Sequence, residues 1–574
     1  MRERIVETII YCMMGLLLAG FFNLQIRHGN DYRRMSERNR IRTIPIVAGR
    51  GRIYDREGRI LADNKPIFNV SVIPDDFDQE YTRQIADIVS LDADALAQKI
   101  VRARHRAGEE PLLIKKDISR TAFYRLEELS TLVGGITITQ DSLRFYPEGE
   151  MVCHVVGYIG KINEKEYEEN KHRGWLINDY VGRLGVEKAY DERIRGKPGG
   201  RQIEVDAHGR ELRTLSKKEP VLGEDIHLTI DADLQRRIVE LIDQKYSIAI
   251  CVVDVHTGAI LALVSTPLFD PNMFLDPSRR DELAGALHDQ RHPFVNRTIS
   301  LTYPPGSVFK VLIGLAGLEE GVINSGTIFH CSGVFKLNDR ARPFHCWNPY
   351  GHGDISLREA IAQSCNIYFC QLGLKLGNAR IARYARLFGF GKPIDLGLPY
   401  SKPGLVPDAL WKKDTLQERW YPGETISYAI GQGFLAVTPL QIAKLMAIIA
   451  NNGRIVEPHI NADETIPDGH VPIARKNFAI MRGCMLEAIN SEHGTGHLAQ
   501  PKYFKMAGKT GTAQTNGEPH SWYAGFFPYN DPQIALVVMA EHAGPGGIVA
   551  AGYAGKIADT WSAWNEEKKK KDTV

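Results

Sequence analysis

Pro304-Pro305-Gly306-Ser307-Val308-Phe309-Lys310 sets a serine three residues ahead of a lysine at the point where a helix should begin. A serine hydroxyl is a weak nucleophile at neutral pH and needs a base beside it. Side chains three apart on a helix share a face and meet. The run from Val308 to Glu319 reads as a largely buried helix, and Pro304, Pro305 and Gly306 suit its start. Its first turn would also offer free backbone N–H groups to a developing oxyanion. Ser-x-x-Lys alone is common by chance, and a serine at a helix start is most often only a cap. The motif gains meaning from its company.

That company is Ser364-Cys365-Asn366, after a helical Leu357–Gln363, and Lys509-Thr510-Gly511-Thr512 further on. Lys310 could take a proton from Ser307 if burial and a nearby positive charge such as Lys509 lower its affinity for protons. Ser364 could relay a proton toward a leaving amine. Asn366 both accepts and donates, so it can hold Lys310 and a substrate amide together. Lys509 brings positive charge to a substrate carboxylate, with the hydroxyls of Thr510 and Thr512 beside it, and Gly511 permits close approach. The backbone N–H groups of Ser307 and Thr512 would form the oxyanion hole. A strand carrying these residues could also pair with an extended peptide. Read alone, Lys509–Thr512 is no more than a polar hairpin.

Composition is that of a globular protein, 43% hydrophobic and 24% charged, and the net charge of +2 gives no reason to expect a nucleic-acid partner. One stretch differs. Residues 8–26 carry no charge and as a helix span roughly 28 Å, about one hydrocarbon core. No small-x-small cleavage site follows, so it reads as an uncleaved signal anchor preceded by a short cytoplasmic N-terminus, residues 1–7. Arginines are more numerous after the segment than before it, which taken alone would keep the bulk of the chain in the cytoplasm.

Residues 27–220 read as strands with some helices: a hairpin turn at Asp55–Gly58, a strand at Asn69–Pro74, helices over 79–105 and 119–133, and a turn at Pro198-Gly199-Gly200. No compact catalytic cluster appears there, and the segment reads as a spacer and docking module. A second unit begins near residue 221 and extends to about 565. Lys568-Lys569-Lys570-Lys571 reads as part of a solvated, disordered tail over 566–574. Of eight cysteines, Cys331, Cys346, Cys365 and Cys370 fall close together. Cys331, Cys346, His352 and Cys365 could form a closed tetrahedral zinc set. Disulfides among the four cysteines, or plain buried thiols, fit the spacing equally well.

The three motifs in this order resemble those of penicillin-binding proteins and β-lactamases. The likeness extends along nearly the whole chain to the class B penicillin-binding proteins, and within them to the elongation-type penicillin-binding protein 2 branch. It includes Arg50-Gly51-x-Ile53-x-Asp55-Arg56, Arg144-x-Tyr146-Pro147, Gly182-x-x-Gly185-x-Glu187, Leu228-Thr229-Ile230-Asp231 and Gly431-Gln432-Gly433 with Val437-Thr438-Pro439. The resemblance implies an α+β fold: a transpeptidase domain with an antiparallel sheet between helices, on a β-rich pedestal with one transmembrane helix. It implies a single-pass inner-membrane protein whose catalytic domain is periplasmic or extracellular. There, Ser307 would attack the D-Ala-D-Ala bond of a peptidoglycan stem peptide, form an acyl-enzyme and pass it to an amine of a second stem. β-Lactams would acylate the same serine. A RodA-like membrane glycosyltransferase and other elongation-complex proteins are the implied partners.

The resemblance also favours zinc at Cys331, Cys346, His352 and Cys365, over His330 and His345 beside them, because elongation-type members carry such a site at matching intervals. A division-type penicillin-binding protein is the nearest alternative, and weak carboxypeptidase activity would use the same residues. A β-lactamase would lack the pedestal and anchor. A non-catalytic β-lactam sensor would need a larger cytoplasmic part than the few residues ahead of the anchor.

Overall fold

The computed structural model describes residues 2–28, 41–46, 48–107, 111–173, 175, 179–205, 211–464 and 469–572. An N-terminal helix, Arg2–Phe22, continues as a wider turn through Asn23–Arg27. Residues Arg4–Arg27 are long and apolar enough to cross a membrane, by length and composition. Residues 29–40, which hold most of the arginines that follow the apolar segment, lie outside the described residues.

The chain folds into two compact units that alternate along the sequence. One gathers residues 1–51, 64–144 and 195–224; the other gathers 52–63, 145–194 and 225–574. Grouped by contact, the chain does not follow the single division expected at residue 220. Two segments of the presumed pedestal, 52–63 and 145–194, belong to the unit that carries the three motifs. Ile53 and Tyr54 pair in parallel with Ile226 and His227, which draws 52–63 into that unit, and the strand that follows is Ile60–Val72. Ile60 and Ala62 pair with Tyr54 and Ile53, whereas Val70–Val72 pair with Leu112–Lys115.

In the first unit, Thr82–Val89, Ala93–Ala107 and Arg120–Leu132 are helices. They pack Ile85, Ala86, Val89, Leu96, Ile100, Leu126 and Leu129 against Val70 and Val72. The single helix expected over 79–105 is broken because Ser90 adopts a left-handed φ of 54° and its N–H closes the first helix. Ile41–Ile46, Gly199–Val205 and Glu211–Lys218 form an antiparallel sheet. Gly199 and Gly200 sit within this ladder, opposite Ile46 and Pro45, instead of forming the expected turn.

The second unit is built on a five-stranded antiparallel sheet. Its strands are β1 (Ile248–Asp254), β2 (Ile260–Ser265), β3 (Ala507–Ala513), β4 (His520–Phe527) and β5 (Ile534–Ala540), in the order β2-β1-β5-β4-β3. Strand side chains alternate between faces. Ile248, Ile250 and Val252, with Leu536 and Val538, meet α1 (Ala232–Glu240) and the closing helix of the chain. Ala249, Cys251 and Val253, with Val537 and Met539, face a larger core. That core contains α2 (Lys310–Glu319), α3 (Leu357–Ala362), α4 (Asn366–Leu376), α5 (Pro439–Ala450) and α6 (Arg475–Asn490). Both faces are covered, so β1 from Ile248 to Val253 and β5 are continuous apolar runs.

The closing helix, α7, spans Val549–Asp572. Residues 566–572, expected as disordered, are its last turns. Glu567 pairs with Arg237 at 2.6 Å, and Lys568 pairs with Glu57 and approaches Asp231 at 3.7 Å. Partners elsewhere in the same unit hold a segment whose composition alone suggests solvation.

Candidate active site

Ser307 lies in a tight 3-10 turn, Gly306–Phe309, which leads directly into α2. This is one turn earlier than an α-helical start, and in 3-10 geometry positions i and i+3 are eclipsed. Ser307 is half-buried while Lys310 is fully buried. The turn is held from outside: Gly306 N–H donates to Gly431 O at 2.9 Å. A Cβ on Gly431 would lie 2.0 Å from Gly306 O, so only glycine fits there.

Lys310 is bonded to the second motif. Its Nζ donates to Ser364 O at 2.8 Å and to Asn366 Oδ1 at 2.7 Å, and lies 3.4 Å from Ser364 Oγ. Asn366 Nδ2 donates in turn to His345 O at 3.0 Å, which fixes which side of the amide faces Lys310. Ser364 has a left-handed φ of 55°, a strained value for a residue with a side chain. It occupies the sharp turn from α3 to α4. Burial lowers the Lys310 ammonium to about 8, and the nearby Cys365, Cys346 and Cys370 thiols act in the opposite direction. The expected influence of Lys509 runs the other way. Lys509 is itself driven well below the usual lysine range, by burial and then by the charge of Lys310.

The third motif lies on β3. Lys509 is fully buried and its Nζ donates to Thr510 O at 3.0 Å. Thr512 is exposed, and its Oγ1 accepts from Gly546 N–H at 3.1 Å. A Cβ on Gly306 would sit 3.1 Å from Thr512 O, and one on Gly511 would sit 3.0 Å from Pro305 O. The strand and the serine turn are therefore in backbone contact. Among the described residues β3 pairs only with β4, leaving its outer edge without a strand partner.

Cys331, Cys346, His352 and Cys365 bring one ligand atom each to within 4.8 Å of one another. His352 Nδ1 lies 3.5 Å from both the Cys331 and Cys346 sulfurs. Tetrahedral coordination with metal–sulfur and metal–nitrogen distances of about 2.3 Å and 2.0 Å separates such atoms by roughly 3.5 Å, so the donor set fits zinc. All eight cysteines are free thiols, and Cys370 lies outside the cluster. His330 is exposed and bonded to Asp354, and His345 is exposed; neither joins the set. The Cys346 thiol is lowered to about 4, first by the Cys365 hydrogen bond and then by the backbone N–H groups of Asn366 and Asn348.

Residues 248–560 match the family described as the penicillin binding protein transpeptidase domain, and residues 45–228 match the penicillin-binding protein dimerisation domain. The chain belongs to the penicillin-binding proteins. Among its relatives, the peptidoglycan D,D-transpeptidase MrdA of Acinetobacter baumannii is 33% identical, over 97% of this chain and 86% of that protein. The penicillin-binding protein PBP2 of Helicobacter pylori, solved in complex with MreC, superposes with a TM-score of 0.78 at 27% identity. That match covers 90% of this chain and 99% of the other. A peptidoglycan synthase complex, described as coordinating polymerization and crosslinking, gives a TM-score of 0.74 at 29% identity over 97% and 98% of the two chains.

In this penicillin-binding protein the sequence reading overlooked what stands behind β3. Thr510 is hydrogen-bonded to Thr495, Oγ1 to Oγ1, at 2.9 Å. The available signal was Gly494-Thr495-Gly496 following a helix, a pattern that reads as an ordinary chain reversal.

Proposed function

We propose that this penicillin-binding protein is an elongation-type D,D-transpeptidase that cross-links peptidoglycan stem peptides through Ser307. The observation that carries the reading is the bonding of Lys310 Nζ to Ser364 and Asn366 beside the Ser307 turn. A neutral Lys310 can keep two N–H bonds, to Ser364 O and Asn366 Oδ1, and offer its lone pair to Ser307 Oγ–H. Ser307 Oγ then attacks the carbonyl of the penultimate D-Ala, and its proton passes to Lys310. The N–H groups of Ser307 and Thr512 stabilise the resulting oxyanion. As the C–N bond breaks, the proton moves by way of Ser364 to the departing D-Ala nitrogen. An amine of a second stem attacks the ester, forms the new amide and returns a proton to Ser307 Oγ. Lys509, Thr510 and Thr512 receive the substrate carboxylate. A β-lactam acylates the same serine but leaves no departing fragment to make room for the acceptor, which favours a lasting adduct.

Cys331, Cys346, His352 and Cys365 would hold a zinc ion. A four-ligand protein set has no open position, so its contribution is structural. Because Cys365 separates Ser364 from Asn366, these ligands would tie the 331–352 loop to the catalytic turn. The N-terminal helix supports a single-pass anchor, with the catalytic unit on the side where peptidoglycan lies. A relative's complex with MreC and another's place in a peptidoglycan synthase complex support an MreC-like protein and a polymerising enzyme as partners, and that polymerising enzyme would be a RodA-like glycosyltransferase.

The test is intact-mass analysis after exposure to labelled penicillin, with metal content read on the same samples. Wild type should gain one stable adduct and Ser307→Ala none. An adduct that persists in Ser307→Ala would overturn the assignment.

A further inference from the structure

Thr495 lies between the second and third motifs and touches both sides. Its N–H donates to Ala362 O at 3.2 Å, and its Oγ1 lies 3.4 Å from the same oxygen. Ala362 ends α3, two residues before Ser364, and its carbonyl is one that a helix end leaves without an internal partner. On the other side, Thr495 Oγ1 is 2.9 Å from Thr510 Oγ1. Thr510 is 6% exposed and follows Lys509 on β3.

The Thr495 turn has little room to move. Gly494 and Gly496 each donate an N–H, to Ser491 O at 3.0 Å and to Ala488 O at 2.9 Å. A Cβ on Gly494 would lie 2.5 Å from Ala488 O, and one on Gly496 would lie 2.4 Å from the Ile489 side chain. The turn is thereby pressed onto the end of α6. A rigid turn that bonds the Ser364 side with one group and the Lys509 strand with another sets their separation.

We propose that Thr495 is a positioning residue for acylation, holding the Ser364 turn and the Lys509–Thr512 strand in register and directing the Thr510 hydroxyl. The hydrogen-bond count gives the mechanism. Ala362 O can only accept, and each threonine hydroxyl has one proton to give. Without substrate, Thr510 gives its proton to Thr495 Oγ1 and Thr495 gives its own to Ala362 O. When a carboxylate sits on the strand, Thr510 turns its proton to the carboxylate and Thr495 turns its own to Thr510. The Thr495 backbone N–H still serves Ala362 O, so the rearrangement leaves no buried acceptor unmet. This inference rests on the assignment of Ser307 as nucleophile and of the Lys509–Thr512 strand as the carboxylate site.

The full-length protein with Thr495→Val and Thr495→Ser is compared with wild type for the second-order rate of acylation by labelled penicillin, alongside Tm. Valine keeps the shape and the backbone N–H but removes the relay; serine keeps the relay. The Thr495→Val rate should fall about tenfold and the Thr495→Ser rate should stay within about threefold of wild type, with both Tm values within about 2 °C of it. In a Thr510→Val background, Thr495→Val should add less than about twofold, because the hydroxyl it serves is gone. A Thr495→Val rate within twofold of wild type, an equal loss in Thr495→Ser, or additive losses in the double variant would each overturn the proposal. So would a Tm loss in Thr495→Val above about 5 °C, which would mark a purely structural role. Failure of wild type itself to be labelled at Ser307 would instead overturn the nucleophile assignment, before either variant is compared.

Discussion

Lys310 is fully buried, yet the proposed mechanism asks it to alternate between ammonium and amine. Burial brings it from the usual 10.5 to about 8. Below that value the ammonium has no lone pair for the Ser307 proton. The acylation rate should therefore climb about tenfold per pH unit up to a bend near pH 8 and then level off, as followed with labelled penicillin across pH 6–9. A profile already flat below pH 7 would remove Lys310 from the role of base. The same shift bears on folding. Between about 8 and 10.5 the unfolded chain binds the proton that the folded chain has lost, so this group's contribution to stability rises with pH across that window. That Lys310, Ser364 and Asn366 would be brought together was legible in the sequence, because the proposed chemistry needs those residue types in short local motifs. Thr495 was not, since its role depends on Ala362 and Thr510, which lie far from it in sequence.

At the scale of elements, the 331–352 loop and the α3–α4 turn meet through their thiols and one imidazole. With zinc bound there, Cys346→Ser should lose about one equivalent of metal and lower Tm by about 5 °C, measured by elemental analysis and thermal unfolding. Its acylation rate should also fall, because Cys365 is flanked by Ser364 and Asn366. A variant without metal but with unchanged Tm and rate would leave the cluster no structural role. Apolar patterning located most strands and helices here, since a buried strand such as β1 is apolar from Ile248 to Val253. It failed where backbone geometry or distant charge decides. Ser90 breaks a helix through a left-handed φ, and the terminal lysine run stays helical through ion pairs with Glu57 and Asp231. Neither effect has a period to detect.

At the scale of the whole molecule, the apolar N-terminal helix can be separated from the catalytic unit in experiment. Removing residues 1–28 should give a protein that stays in solution without detergent and acylates within about twofold of the full-length rate, checked by sedimentation and penicillin labelling. A large loss of rate would mean that the N-terminal helix supports the fold as well as anchoring it. The presence of two folded parts was legible from composition and motif order. Their alternation along the chain was not, because segments 52–63 and 145–194 resemble their sequence neighbours in composition. Among the described residues the five-stranded sheet stops at β3, beside the Ser307 turn, and could accept one more strand. A bound stem peptide can act as a temporary sixth strand, read mainly through its main-chain amides. Recognition of that kind is sensitive to the handedness and extension of the guest and tolerant of side chains pointing away from the cleft. A cell could then vary much of the stem's composition without changing the enzyme, while a change in the terminal D-Ala-D-Ala unit would reach the chemistry directly.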